Sequence, residues 1–532
     1  AATSLSLGET TLGLIAQAHV RQKARDPGGA IAALRRATDL TSFAEEGDLA
    51  QFAYLELADA QIEALDLAGA RATLEELATS SPESAVARIR LAGVLWTQGA
   101  MPEVERRLRE TLAAEPNHIE ALLMLAWAAT AQDRFEEARA RFAEALERAE
   151  GALDVATAFA RFLLVAGRRD EASQLVDDLA LTGDDSNLLE RIELCRAAHQ
   201  SDRGLALAQE RRSRPDIEAE LAARLDRAIA DLKADDNSAE AIAILLRVPK
   251  SDPSFTAARL RAAELAREAG QLARSRQLIG DVEGEAASDE LRDEIVVALS
   301  AIDERDNTSA QALSRYAGAL KQRPHSVRLR LGHAALLERL GRVPEALAQA
   351  TALLDHDPGN AEALNFWGFL AAEHRIDLPL AVRRIAAALA LEPGSGAILD
   401  SLGWAHLQSG RLPEATLFLE QAGRLEPEDP EILAHLGALF ERKGQPDRAL
   451  LAVRKALGHD PSDALKRRLE AQRQRLERSS PTARGPPPTP VAVPGKATPT
   501  TPKVRDGNEP AAPAVPKTTG DVPGSSPKKD AP

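Results

Sequence analysis

Apolar residues recur at helical spacing in short segments, and these segments come in pairs along most of the chain. The clearest copy of the paired pattern covers 396–429 and is followed directly by a second copy over 430–463. Each copy has a large apolar residue at its fourth position, Leu399 or Leu433, and small residues at its eighth and twentieth positions. Small residues let two helices approach closely, so the pattern predicts two short packed helices in each copy.

Corresponding residues of the two copies lie 34 positions apart, including the turn glycines Gly410 and Gly444 and the small residues Ala415 and Ala449. A 34-residue period of this kind resembles the tetratricopeptide repeat, a helix–turn–helix unit. In such arrays each unit buries its apolar face against its neighbours, so the length of the chain reflects the number of units. The resemblance implies an all-α, right-handed superhelical solenoid.

The period can be followed through about 13 units, and the unit that starts at residue 361 has one extra residue in its turn. With that residue allowed for, the twentieth position is alanine in 11 units. The predicted units start at residues 11, 51, 85, 119, 153, 187, 222, 256, 293, 327, 361, 396 and 430. We therefore predict a lead-in over 1–10, an N-terminal array over 11–220 and a C-terminal array over 221–463. Stacking of the units supplies the hydrophobic core.

Two segments follow the repeats. Residues 464–478 are apolar at Leu465, Leu469 and Leu476 and mostly charged elsewhere, which predicts a polar capping helix. Residues 479–532 contain 14 proline residues and no aromatic residue. Such a composition buries too little apolar surface to fold, so we predict a disordered, proline-rich tail.

Charge separates the repeats from the C-terminal segments. The chain carries a net charge of −15, but residues 464–532 contain 13 Lys and Arg against 6 Asp and Glu, so residues 1–463 carry −22. An acidic body disfavours nucleic acid as a partner, since phosphate neutralisation needs basic surface. No window of about 20 apolar residues is present, so we expect no membrane-spanning helix.

Catalytic and cofactor motifs are absent from the sequence. It contains no GxxxxGK[ST], HExxH or GxSxG motif and no GxGxxG motif after a predicted strand. The single cysteine, Cys195, is expected to pack in a helix. His333, His406 and His435 fall on first helices, where a packed or groove-facing imidazole is more common than a metal ligand. We therefore predict a protein with no enzymatic activity, no metal and no cofactor.

The resemblance also implies a concave groove lined by the first helices of the units, and it identifies the side chains that face this groove. Aromatic rings beside hydrogen-bonding groups are suited to anchoring a partner segment. Packing of the same rings between neighbouring helices is the other interpretation. The predicted groove residues are Asn365, Phe369, Asp400, Trp404 and Gln408 in the C-terminal array and Trp96 and Trp127 in the N-terminal array.

The block 361–463 carries a narrower resemblance, through ALNFWGFLAAEH, LDSLGW and PEILAHLG. It is similar to bacterial envelope repeat lipoproteins, some of which are adaptors of periplasmic carboxyl-terminal processing proteases. This resemblance implies a protein partner, such as a periplasmic protease or an envelope complex. It also implies a location in the periplasm, at the inner face of the outer membrane. Any membrane attachment is expected through an N-terminal lipid anchor that this chain, beginning at Ala1, does not include.

These features predict a scaffold or adaptor that binds partner proteins in the groove of the array. One alternative is a cytoplasmic regulator or secretion chaperone, since a single cysteine is equally compatible with the cytoplasm. Another is the targeting portion of an enzyme that bears such repeats. A signal peptide in the unprocessed gene product would distinguish an envelope protein from a cytoplasmic one.

Overall fold

A computed structural model describes residues 10–180, 187–234, 237–285 and 288–479. Within these residues the protein contains 27 α-helices and no β-strand. The helices form 13 consecutive antiparallel pairs followed by one further helix, which confirms the all-α repeat fold. We call the first, odd-numbered helix of each pair its A helix and the second, even-numbered helix its B helix.

The first six pairs cover most of the predicted N-terminal array, and α10 continues into a π-helical turn over Val176–Ala180. Their helices are α1 (Thr11–Lys23), α2 (Pro27–Leu40), α3 (Phe43–Glu63), α4 (Leu67–Ser80), α5 (Ala85–Thr97), α6 (Met101–Ala114), α7 (Ile119–Thr130), α8 (Phe135–Arg148), α9 (Leu153–Val165), α10 (Arg169–Leu175), α11 (Leu188–Ala197) and α12 (Ser201–Arg212).

Seven more pairs and a final helix complete the described chain, with α27 at the place of the predicted capping helix. These helices are α13 (Ala219–Lys233), α14 (Ser238–Leu245), α15 (Phe255–Glu268), α16 (Leu272–Gly280), α17 (Asp289–Arg305), α18 (Ser309–Gln322), α19 (Val327–Arg339), α20 (Val343–Leu354), α21 (Ala361–Glu373), α22 (Leu378–Leu391), α23 (Gly396–Gln408), α24 (Leu412–Leu425), α25 (Pro430–Arg442), α26 (Pro446–Gly458) and α27 (Asp463–Ser479).

Small residues set how closely the two helices of a pair approach. Ala415 and Ala449 are completely buried. A Cβ atom on Gly403 would lie 2.6 Å from Cγ of Leu419, so α23 and α24 touch at a position that admits no side chain. The turn between them contains Gly410 with φ of +77°, in the left-handed region that favours glycine. The repeat pattern is therefore explained by close packing and turn geometry.

The array folds back on itself. The B helix α22 packs across the A helix α5 and also touches α3, while α24 lies against α7 and α9. As a result, buried apolar residues from each of the helices α3 to α7 and α19 to α27 belong to one continuous hydrophobic core. Helices α11 to α17 have a core of their own and connect the two ends. The C-terminal B helices thus occupy the concave face of the N-terminal A helices.

Close contacts and hydrogen bonds join the C-terminal B helices to the N-terminal A helices, and we call this contact the closure of the array. A Cβ atom on Gly93 of α5 would lie only 2.7 Å from the carbonyl oxygen of Ala390 on α22. Nearby, the indole N–H of Trp96 donates to the side-chain oxygen of Gln421 on α24, at 3.4 Å. At the end of α24, Arg424 Nε donates to a carboxylate oxygen of Asp133 at 2.7 Å. Backbone, aromatic and charged groups therefore all contribute to the contact.

The residues that the structure describes include only some of the segment boundaries predicted from the sequence. Most of the predicted lead-in and almost all of the predicted tail over 479–532 lie outside the described residues. The division of the repeats between residues 220 and 221 stays a prediction. No helix of the described part is long and apolar enough to cross a membrane.

Candidate partner-binding groove

The A helices α21, α23 and α25 line an open groove of about 310 Å³ on the side opposite the B helices that fill the N-terminal array. Helix α21 contributes Asn365, Phe366 and Phe369, and α23 contributes Asp400. Three of the residues predicted from the sequence, Asn365, Phe369 and Asp400, thus lie together. They meet because the same repeat positions of successive units stack side by side.

A buried ion pair forms the floor of this groove. His435 Nδ1 of α25 lies 2.7 Å from Asp400 Oδ2 of α23, and both residues are almost fully buried. The ring of Trp404 stacks on the imidazole with centroids 4.2 Å apart, and Phe369 lies at 6.0 Å. The pair fixes the imidazole between two predicted groove aromatics, Phe369 and Trp404. The three rings and Asp400 therefore form one packed cluster.

Burial of His435 opposes its charged form, but the charge and hydrogen bond of Asp400 act in the other direction and are reinforced by Glu431 and Glu373. The net effect is a pKa of His435 above its usual value. The surroundings of His435 therefore favour its charged imidazolium form beside Asp400. Repeat positions did not select His435 as a groove residue, although its place on an A helix was evident from the sequence.

Trp404 and Gln408 have partners within the chain. The indole N–H of Trp404 donates to a carboxylate oxygen of Glu373 at 2.8 Å. The side-chain oxygen of Gln408 accepts from Arg375 Nε at 3.1 Å. Glu373 and Arg375 come from the end of α21 and the turn after it, which the repeat positions do not identify. Trp404 is therefore held in place beside the ion pair.

Two buried oxygens of the groove have no hydrogen-bond partner: Oδ1 of Asp400 and Oδ1 of Asn365. The neighbouring hydroxyl of Ser401 donates instead to the backbone carbonyl of Ala397, at 3.0 Å. Buried polar atoms are nearly always hydrogen-bonded in folded proteins. Both oxygens belong to residues that line the groove but are closed to solvent, so a ligand donor reaches them only when the side chains that cover them move.

The N-terminal pair of predicted groove residues has a different environment. Trp96 is completely buried, and Trp127 is half-buried, with its ring 4.9 Å from that of Phe142 in an edge-on arrangement. Both tryptophans approach Gly394, which follows α22. Both rings therefore contact the chain's own C-terminal segments, and their predicted role in binding a partner stays a prediction.

One feature of the sequence is consistent with this closure. The ninth position of a unit carries Phe369, Trp404 and Trp127 in three units, but Gly93 in the unit that starts at residue 85. A glycine at a groove-facing position permits a second helix to approach backbone to backbone. Repeat reasoning did not identify Gln421 and Arg424, because both lie on a B helix.

Other candidate chemical groups are buried and dispersed. Among the described residues no three His, Cys, Asp or Glu side chains are grouped so that they could hold a metal ion. Burial raises the pKa of the Cys195 thiol to about 11, which keeps it protonated. His406 packs against Phe418, and burial lowers its pKa to about 4.

Family comparisons agree with the repeat geometry. One tetratricopeptide repeat family model matches residues 61–128, 95–152 and 129–192, and a second matches residues 298–361. The chain contains tetratricopeptide repeats. Such repeats generally mediate protein–protein interactions, and proteins built from them are typically non-catalytic scaffolds.

One curated relative of this tetratricopeptide repeat chain is the TPR repeat-containing protein PA4667 of Pseudomonas aeruginosa, 34% identical over 118 residues. The match covers 22% of this chain and 20% of that protein, so the chain matches about one fifth of the relative's length.

Similar solved structures include the Cut9–Hcn1 hetero-tetramer of the APC/C, with a TM-score of 0.32, 15% identity and coverage of 89% of this chain and 97% of that chain. Naa15/Naa10 bound to HypK-THB has a TM-score of 0.34 at 15% identity, with coverage of 90% and 88%. The Pseudomonas aeruginosa protein pilF has a TM-score of 0.29 at 18% identity, with coverage of 36% and 90%.

Proposed function

We propose that this chain is a non-enzymatic scaffold or adaptor that binds partner proteins in the groove of α21, α23 and α25. The observation that carries the proposal is the contrast between the two concave faces of the array. The N-terminal face is filled by α22 and α24. The C-terminal face is open and lined by aromatic and hydrogen-bonding side chains, among them Phe369 and Asp400.

The groove has the features that a protein-binding site needs. Phe369 lines the groove, Trp404 stacks on His435 at its floor, and both rings are half-buried. Such rings are enriched among the residues that dominate binding energies. Their orientation is fixed before binding, because Trp404 stacks on His435 and donates to Glu373. A ring that is already held loses little side-chain freedom when the partner arrives. Asn365 and Asp400 line the groove and supply the polar groups that set the position of the partner, whereas Gln408 lies outside the lining.

We further propose a bacterial cell envelope as the setting and an envelope protein, such as a periplasmic processing protease, as the partner. Support for this setting comes from the resemblance of block 361–463 to envelope repeat lipoproteins. This location is tested by looking for a signal peptide in the unprocessed gene product and for the protein in the secreted or membrane fraction of the source cells. A protein found only in the cytoplasm would contradict it.

Replacing Phe369 and Trp404 by alanine together should abolish capture of the partner. Loss of one anchor ring commonly costs about 2 kcal/mol, which corresponds to roughly thirtyfold in affinity. The measurement is affinity purification from the source cells with mass spectrometry, followed by Kd determination with the purified partner. Leu451→Ala is the matched control, because Leu451 is 60% exposed on α26 and lies outside the groove.

Circular dichroism of all variants verifies that helicity is retained. Capture of the same proteins by the double variant and by wild type would place the binding surface elsewhere and contradict the proposal.

A further inference from the structure

The unpartnered oxygens of the groove indicate the chemistry of its ligand. Asp400 retains only 5% of its accessible surface, and its Oδ2 is committed to His435 at 2.7 Å. Its Oδ1 has no hydrogen-bond donor, and the same is true of Asn365 Oδ1 on the neighbouring helix. An acceptor buried without a partner costs free energy that a ligand donor would recover. Both unpartnered atoms are acceptors, so a ligand group that displaces the side chains covering them must supply N–H donors.

The charged side chains around these oxygens favour a positively charged ligand. Four carboxylates line the groove, from Glu362, Asp400, Asp429 and Glu431, and the only basic side chain in the lining is the imidazole of His435. One oxygen of Asp429 accepts the backbone N–H groups at the start of α25, which fixes this carboxylate at the groove edge. Arg468 of α27 is exposed and pairs with Glu431 at the rim, at 3.4 Å. A negatively charged ligand would be repelled.

The aromatic wall distinguishes a basic side chain from a metal ion. Phe366 and Phe369 lie about one turn apart on α21, and Ile432 of α25 contributes buried apolar surface to the same groove. Lysine and arginine pack their methylene groups on apolar surface while the charged head reaches polar groups. A divalent metal gains nothing from such a wall, and the described residues offer no cluster of three acidic or histidine ligands.

We propose that this groove binds the charged head of an arginine or lysine residue in an extended segment of the partner protein. The head displaces the side chains that cover Asp400 Oδ1 and Asn365 Oδ1 and donates to these oxygens. The stem of the side chain lies against Phe366 and Phe369. The inference rests on the proposed function, since it names the kind of segment that the same groove accepts. It also assigns a specificity role to Asp400 beyond its pairing with His435.

Selection of short random peptides displayed on phage, with the full chain as bait, tests this specificity directly. We expect the enriched peptides to share an arginine or lysine at one fixed position, next to apolar residues. Synthetic versions with arginine, lysine, glutamine or norleucine at that position are then compared for Kd. We expect both basic peptides to bind about tenfold or more tightly than the neutral ones. The comparison of arginine with lysine shows which head the groove prefers.

Variants of the chain connect the preference to the two oxygens. Asp400→Asn keeps the size of the side chain and an oxygen that can accept from His435, but removes the charge. We expect it to weaken binding of the basic peptides about tenfold or more and to leave the glutamine peptide nearly unchanged. Asn365→Leu removes the second oxygen without touching the ion pair, so it serves as an independent variant. Glu147→Gln, at an exposed position on α8, is the control.

Three outcomes would overturn this inference: no enriched peptide, an enriched motif without a basic residue, or equal affinities for wild type, Asp400→Asn and Asn365→Leu. Each can be separated from failure of the proposed function, which is judged by partner capture with Phe369 and Trp404 replaced. If the double variant loses capture but basic and neutral peptides bind with equal affinity, the groove remains the binding site. Only the proposed preference for a basic residue is then rejected.

Discussion

Valine in place of Gly93 should open the closed array and destabilise it by about 1–3 kcal/mol, the usual range for overpacking a well-packed contact. Even a Cβ atom at this position would lie 2.7 Å from the carbonyl oxygen of Ala390. A backbone carbonyl cannot rotate away as a flexible side chain can, so α5 and α22 must separate. Individual repeats contact mainly their neighbours and should remain folded.

Small-angle scattering should show a larger radius of gyration for Gly93→Val, with unchanged helicity by circular dichroism. Tryptophan emission should shift to longer wavelength, because Trp96 is completely buried in the closed array. Gly318→Val is the matched control, since Gly318 is an exposed glycine of α18 with no atom within 4 Å of the added Cβ position. Identical scattering and melting curves for the two variants would show that the N-terminal groove is not closed by α22.

Removal of His435 should cost about 3–5 kcal/mol, since it leaves the charge of Asp400 buried without a counter-charge. The sign of the pH dependence follows from the raised pKa of His435. The stabilisation from this pair is complete below the unfolded histidine pKa of about 6.5 and is lost as the pH rises through the folded pKa. His435→Ala should therefore lower the melting temperature more near pH 6 than near pH 9.

His406→Ala provides a control of opposite sign. Burial lowers the pKa of His406 to about 4, so wild type loses stability as the pH falls from about 6.5 towards that value. Replacing His406 should thus be less costly in acid than at neutral pH. Melting temperatures of wild type and both variants across this pH range test the assignments. A cost of His435→Ala that grows with rising pH would contradict the buried ion pair.

The repeat fold could be predicted from the sequence because its determinants are local. Residues that lie 34 positions apart, such as Ala415 and Ala449, occupy the same helix contact in successive units. Turn glycines such as Gly410 are required by the backbone conformation. Each unit therefore contains the information for its own two helices and for its contact with the next unit.

The closure could not be predicted in the same way. It joins α5 to α22, which belong to units far apart in the sequence, and it depends on the curvature accumulated over all the units between them. For this reason Trp96 was predicted as a groove residue without its intramolecular partner Gln421. Gly93, at a position that is aromatic in three other units, is a local sign of the contact.

The candidate groove was predictable to the extent that repeat positions define it. Asn365, Phe369 and Asp400 face one space because equivalent positions stack. The contacts made by His435, Glu373 and Arg375 depend on side-chain conformation across three units, which the period does not encode. The unpartnered oxygens are likewise visible only when all neighbouring donors are known.

The most direct measurement of the central claim is site-specific photo-crosslinking in the source cells. A photoreactive phenylalanine analogue is placed at Phe369 in the groove or at Leu451, which is 60% exposed on α26. If the open C-terminal groove is the partner-binding surface, irradiation should attach a defined protein to the chain with the probe at 369, and no comparable adduct should form with the probe at 451. Adducts from 451 but none from 369 would contradict the account.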